Sequence, residues 1–155
     1  MTNEGAVNIQ IRNAMLADME HCARIYNDWV DRTAWMRRVH THKDVLRWLE
    51  TDGFKRRTVL VAEQIGQVVG YVSYDNAPMI TALYVRDGCR GNGVDKQLLD
   101  AAKARIAGPT CLWTFVSNRR AQTFYLREGF VEERRTEGDN EEKLPDIFYR
   151  WSGPR

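Results

Sequence analysis

Between Arg90 and Lys96 the chain reads Arg-Gly-Asn-Gly-Val-Asp-Lys, directly before a run with helical periodicity. Glycine costs about 1 kcal/mol inside a helix, so two of them at a helix entrance call for a reason. Without a Cβ, Gly91 and Gly93 can take positive φ and admit a ligand close to the backbone. The first-turn amides of a helix have no partner within it and lie at the positive end of its dipole. Together they make a site for an anion. Arg90 adds a full charge on a planar fork that matches phosphate oxygens. The chemistry available along Arg90, Gly91, Asn92, Gly93, Val94, Asp95 and Lys96 is therefore the cradling of a pyrophosphate. The bland alternative is a glycine turn between strand and helix. The loop lacks the Gly-Lys-Ser/Thr ending of a P-loop. Its glycine spacing and preceding strands also differ from those of a dinucleotide-binding βαβ unit.

A second run, NRRAQTFYLREGF, extends from Asn118 to Phe130. It carries a phenol, Tyr125, that can give a proton to a leaving group. The alternative for Tyr125 is a core aromatic beside Phe124.

These residues need elements to hold them. Val7 to Arg12 alternates apolar and polar as a strand does. Met19, Cys22, Tyr26 and Trp29 recur at helical spacing, with Asp18 as N-cap, and Val45, Leu46, Trp48 and Leu49 suggest a second helix. Two β-rich runs flank a turn containing Gly66, which predicts a hairpin. Met79 to Val85 is almost wholly apolar and reads as a central strand. Val94, Leu98, Ala102 and Ile106 repeat every four residues as a helix closed by Gly108-Pro109. Thr110 to Val116 reads as a buried strand, the run with Tyr125 as a helix stopped by Gly129, and two closing strands flank a polar loop, TEGDNEEKLP. The order β-α-α-β-β-β-α-β-α-β-β predicts an α/β (α+β) fold, with one mixed sheet and helices on both faces.

The pairing of LYV…CRGNGVDKQLL with N…A…FYLREGF resembles the GNAT superfamily of acyl-CoA N-acyltransferases, and the likeness extends over essentially the whole chain, VAEQIGQVVGYVSY included. The resemblance implies a single domain over residues 1–155 with a mostly antiparallel sheet of about seven strands. It implies that the backbone from Gly91 to Lys96 binds the pyrophosphate of acetyl-CoA. Leu83, Tyr84 and Val85 then lie beside the pantetheine arm, Asn118 contacts the coenzyme near its thiol end, and Tyr125 faces the thiol as general acid. The departure is Asp95, where the family has glycine or alanine. At about 6 Å and an effective dielectric of about 20, one like-charge pair is worth roughly 3 kcal/mol before screening, about a hundredfold in affinity.

Acyl transfer from a thioester to an amine sets three tasks. An alkyl ammonium must lose its proton, being under about 0.1% free base at pH 7. The oxyanion needs donors, for which a backbone amide between Leu83 and Val85 is expected. The thiolate needs a proton, assigned to Tyr125. For the base, Asp75, His40 and a water chain stay open. By the same resemblance, the segment joining the first two helices covers the acceptor pocket. It offers Trp29, Trp35, Met36, Arg38 and His40, suited to a small molecule with apolar bulk and a few charges, while the acidic loop Glu137 to Glu142 can draw a cationic amine by its field.

A net charge of +2 with interspersed signs, and 28% charged residues, gives no basic patch of the kind nucleic-acid binders show. Three widely spaced cysteines imply no disulfide framework, the His and Cys spacing gives no metal site, and no apolar run is long enough to span a bilayer. The expectation is a cytoplasmic N-acetyltransferase using acetyl-CoA, without metal, nucleic acid or membrane. Its acceptor would be a small-molecule or peptide amine, and homodimer formation is left open. The competing expectation is a non-catalytic acyl-CoA sensor or scaffold of the same fold.

Overall fold

The computed structural model describes residues 8–154, so Val7, where the first strand was expected to begin, lies outside the described residues. The elements follow the expected order: β1 (Gln10–Asn13), α1 (Met19–Arg32), α2 (His42–Trp48), β2 (Thr58–Gln64), β3 (Gln67–Tyr74), β4 (Ile80–Val85), α3 (Val94–Ile106), β5 (Thr110–Phe115), α4 (Arg119–Arg127), β6 (Val131–Thr136) and β7 (Asp146–Trp151).

Alternation along β2 shows how the layers form. Val59 and Val61 pack under α1 and α2 with Met19, Cys22, Ile25, Val45 and Leu49. Leu60 and Ala62 face the opposite side, against Val94, Leu98, Leu99 and Ala102 of α3. A strand buried on both faces loses the polar half of its pattern, which is why this stretch is continuously apolar. Gly70 lies on the α3 side. A Cβ there would come within 3.0 Å of Leu98 Cδ1 and 3.1 Å of the Tyr84 carbonyl, so glycine lets the helix sit close to the sheet.

The expected single sheet is divided. Strands β1-β2-β3-β4 form one antiparallel sheet, and β5-β7-β6 another with β7 in the middle. The two meet at an isolated parallel bridge, Met79 to Cys111. Strand β4 is thus an edge rather than a central strand; it reads as apolar because Leu83 and Val85 pack in part against one core cluster and Ala82 and Tyr84 against the other, not because both its edges are paired. Beyond Met79, β4 and β5 part, and the gap between them opens toward the N-terminus of α3.

Asp18 does not cap α1. Its backbone is helical, and its carboxylate accepts from Arg12 Nη1 at 2.8 Å and from the Met15 amide at 2.7 Å. The Arg12 guanidinium holds this carboxyl below its ordinary range. Helix α3 closes through Ala107 in the left-handed region, at φ +58°, one residue before the glycine expected there. No helix is long and apolar enough to cross a membrane among the described residues.

Candidate active site

At the mouth of α3, Gly91 and Gly93 have φ of +82° and +79°. Left-handed backbone of this kind penalises side chains other than glycine. A Cβ at either position would meet no protein atom within 4 Å, so the surface above these glycines is open to a ligand. The first helical bond runs from the Gln97 amide to the Gly93 carbonyl. The amides of residues 91–95 have no acceptor among the described residues, and neither does the Arg90 guanidinium. Lys96 differs from the expected cradle: its amide donates to Asp95 Oδ1 at 2.8 Å, and its Nζ pairs with Glu128 at 2.7 Å. The donors therefore face outward over residues 91–95 and are closed off at Lys96.

These groups border a cleft of about 120 Å³ between β4, α3 and α4. Leu83, Tyr84 and Val85 line one wall, Arg90, Gly91, Val94 and Asp95 the base, and Asn118 and Tyr125 the other wall. Asn92, Gly93 and Lys96 do not line it. The Arg86 amide bonds back to Val69 of β3 at 2.7 Å. Because successive strand residues direct their amides to opposite edges, those of Leu83 and Val85 point away from β3, into the cleft. Asn118 is the N-cap of α4: its Oδ1 accepts from the Ala121 amide at 3.1 Å, leaving its Nδ2 hydrogens free.

Tyr125 projects from α4 and is 8% exposed. Its ring stacks edge-on against Phe124 and Phe130. Its hydroxyl has no hydrogen-bond partner among the described residues, yet no fully buried side-chain polar atom there is unpartnered, so the hydroxyl reaches the open cleft. Burial raises its pKa, and the nearby Asp95 charge adds to the effect, so the phenol keeps its proton across the neutral range.

A larger cavity of about 750 Å³ lies on the other face of β4. Tyr84 lines both it and the cleft, so the two spaces meet at this residue. Met36 and His40 line the large cavity, as do Tyr26, Tyr71, Thr81, Trp113 and Phe115. The rings form a continuous cluster. Tyr84 lies 5.2 Å from Tyr26 and 5.1 Å from Trp29, and Trp35 bridges Trp29 and Phe115 at 5.8 and 5.7 Å between centroids. Trp29 lines the cleft rather than the cavity. Trp35 stands behind the wall. Arg38 is turned away from the large cavity: it bonds Asn27 Oδ1 at 2.9 Å, Asp31 Oδ1 at 2.9 Å and the His40 carbonyl at 2.9 Å, fixing the α1–α2 segment to α1.

Of the base candidates, Asp75 is occupied by the amides of Ala77 and Met79 and lines neither space. His40 Nε2 contacts Glu141 Oε2 at 2.8 Å. Sequence reasoning overlooked Tyr26 and Tyr71 as lining residues. Tyr26 had a signal, its helical spacing with Trp29; Tyr71 sits in a strand whose pattern announces only burial. No cluster of His, Cys, Asp and Glu suited to a metal ion is present among the described residues.

Residues 55–132 match the family model described as an acetyltransferase (GNAT) domain. Over 115 residues the chain is 32% identical to the L-methionine sulfoximine/L-methionine sulfone acetyltransferase of Pseudomonas aeruginosa, covering 66% of this chain and 67% of that one. A Salmonella typhimurium acetyltransferase solved with its cofactor acetyl-CoA superposes with a TM-score of 0.75 over 96% of this chain and 95% of that one, at 23% identity. The ribosomal-protein-alanine N-acetyltransferase of Brucella melitensis gives a TM-score of 0.71 at 26% identity, over 92% of this chain and 99% of that one.

Proposed function

Because the chain belongs to the GNAT acetyltransferase family and draws its acetyl group from acetyl-CoA, we propose that it acetylates the primary amine of a small molecule by direct transfer, with Tyr125 as the general acid. The observation that carries this reading is the junction at Tyr84, where the cleft holding a free phenol and free amides meets a large ring-lined cavity.

In this reading the amides of residues 91–95 and the Arg90 guanidinium hold the pyrophosphate, as an anion held by a helix N-terminus. The pantetheine arm lies along β4, beside Leu83, Tyr84 and Val85, and Asn118 Nδ2 donates to it. The acceptor enters the large cavity as an ammonium, gives one proton to solvent there, and the neutral amine so formed attacks the thioester carbonyl. The Leu83 or Val85 amide, fixed on a strand edge, donates to the developing oxyanion; donors placed in advance are the most effective kind. As the C–N bond forms and the C–S bond breaks, Tyr125 gives its proton to the thiolate sulfur. The proton lost from the amine nitrogen leaves through the solvent-connected cavity, and the phenol regains a proton from solvent.

The acceptor is read as small because the large cavity is bounded by aromatic side chains from α1, β3, β4 and β5, which suits a compact apolar body. The methionine-derived acceptors of the Pseudomonas relative are of this size. Acetyl-CoA turnover, followed by a thiol-detecting reagent, is the test. The panel is L-methionine sulfone, L-methionine sulfoximine, alkyl and aryl primary amines, and a peptide with N-terminal alanine. Thiol release with a small amine and not with the peptide is expected. Thermal stabilisation by acetyl-CoA without thiol release on any amine would overturn this reading in favour of a binding-only protein.

A further inference from the structure

We infer that Glu142, in the loop between β6 and β7, is the anchor for the acceptor's ammonium group, and that the acceptor is therefore a primary ammonium carried on a flat apolar body. This rests on the reading of the large cavity as the acceptor pocket.

Three cavities border Glu142: the large one, a narrow one behind Met36, and a third of about 630 Å³ along β5 and β6. Its carboxylate is half-buried and makes no hydrogen bond or ion pair among the described residues. Its neighbours are otherwise engaged. His40 is held by Glu141, and Arg37 Nη1 reaches only the Glu142 backbone carbonyl, at 3.4 Å. Asp52, on the far wall of the large cavity, pairs with Arg56. Asp44 and Arg47 also line the large cavity, but both are exposed to solvent, so among the described residues Glu142 presents the half-buried carboxylate without an ion-pair partner to the pocket. Its charge is felt at the Tyr26 and Tyr84 hydroxyls, whose pKa values burial raises and Glu142 raises further.

The loop that carries Glu142 is fixed in place. Asn140 Nδ2 donates to the Leu144 carbonyl at 2.7 Å and to Asp146 Oδ2 at 3.0 Å, and Asn140 Oδ1 accepts the Leu144 amide at 3.2 Å. Thr136 Oγ1 closes the same knot on Asp146. A carboxylate on a pre-set loop loses little freedom when it takes a cation. Around it stand the rings of Tyr26, Tyr84, Trp113 and Phe115, whose faces attract a cation and whose areas cover an apolar body. A half-buried carboxylate among aromatic faces selects an ammonium on apolar bulk over a neutral molecule of the same shape.

The test uses 2-phenylethylamine and its neutral isostere 2-phenylethanol, titrated by calorimetry into the full chain at pH 7.5 and low salt. The wild type is expected to bind the amine at least about tenfold more tightly than the alcohol. Glu142→Gln keeps the side-chain shape and is expected to reduce that ratio to about twofold or less, with acetyl-CoA affinity and unfolding midpoint unchanged, while Glu142→Asp retains part of it. The proposal is overturned if the wild type does not discriminate, or if Glu142→Gln still does. Since the readout is binding, it stands apart from turnover. A chain that released no thiol would sink the catalytic reading, yet the amine preference could still be measured.

Discussion

Along the mouth of α3, beside the cleft, the free donors are backbone amides of residues 91–95, set by two glycines at positive φ. In the large cavity the groups are side chains: rings from α1, β3, β4 and β5, and the carboxylates of Glu141 and Glu142 from the β6–β7 loop. The first region is local in sequence and indifferent to most side-chain identities. The second exists only once distant segments are folded together. Backbone donors suit a partner that never changes, which in the proposed function is the diphosphate of the acyl donor. Side-chain walls can be exchanged without disturbing the fold, which suits an acceptor that differs from one relative to another.

The sharpest way to separate the regions is Tyr125→Phe. Removing one hydroxyl leaves the ring packing on Phe124 and Phe130 in place, so acetyl-CoA affinity should hold while kcat falls by about 10²–10³. The pH profile adds a sign. A general acid works when protonated, and burial raises this phenol above the ordinary value of about 10. Wild-type kcat should therefore not decline as pH rises to about 9.5. An unchanged kcat in Tyr125→Phe would move the acid elsewhere. Next in size is Gly93→Ala. Alanine in the left-handed region costs about 1–2 kcal/mol, and its methyl enters space the protein leaves empty. Acetyl-CoA affinity should weaken about thirtyfold by calorimetry, with acceptor preference unaltered. A variant that binds acetyl-CoA normally would show that the cradle is not where the diphosphate sits.

The same contrast explains what could be read in advance. The glycine loop and the Asn118–Tyr125 helix are contiguous, so their chemistry is written in adjacent letters. Burial of β2 on both faces was legible for the same reason. The opening between β4 and β5 was not. A run as apolar as Ile80–Val85 announces faces turned toward the core but is silent about edges, so it read as a central strand. Arg38 was expected at the acceptor pocket because spacing cannot show that its donors are taken by Asn27, Asp31 and His40. Tyr71 and Glu142 could not be assigned to one pocket, because they lie 71 residues apart in the numbering (142 − 71) and meet only through the fold.

On the acceptor side, the expected loss is smaller and differently placed. Trp35 lies behind the cavity wall and holds Trp29 and Phe115 in position. Trp35→Ala should raise the acceptor KM by about tenfold through loosened rings, with acetyl-CoA affinity changed by less than about twofold. An effect on both substrates alike would mean that the cluster supports the whole cleft, and the two regions would no longer count as separable.

An effect of similar size but opposite sign is expected at Asp95, where a side chain intrudes on the backbone-made region. Bare Coulomb arithmetic at about 6 Å gave roughly 3 kcal/mol of repulsion toward a diphosphate. The structure changes that estimate in two ways. Asp95 is half-exposed, so solvent and salt screen it. Its carboxylate is also engaged, with Oδ1 on the Lys96 amide, so part of its charge is already answered by the donor it covers. Asp95→Gly removes the remaining repulsion and uncovers that amide, and acetyl-CoA should bind about tenfold more tightly rather than a hundredfold. Asp95→Asn separates the two contributions: the charge is gone, but an amide oxygen can still cap Lys96, so it should recover the electrostatic share alone and lie between wild type and Asp95→Gly. The gain from Asp95→Asn should shrink as salt is raised, because a charge effect at a half-exposed site is screened, whereas the further gain from uncovering a donor is not. Equal affinities for all three proteins at low salt would mean that the carboxylate turns away from the bound diphosphate and that the departure from glycine has no bearing on coenzyme binding.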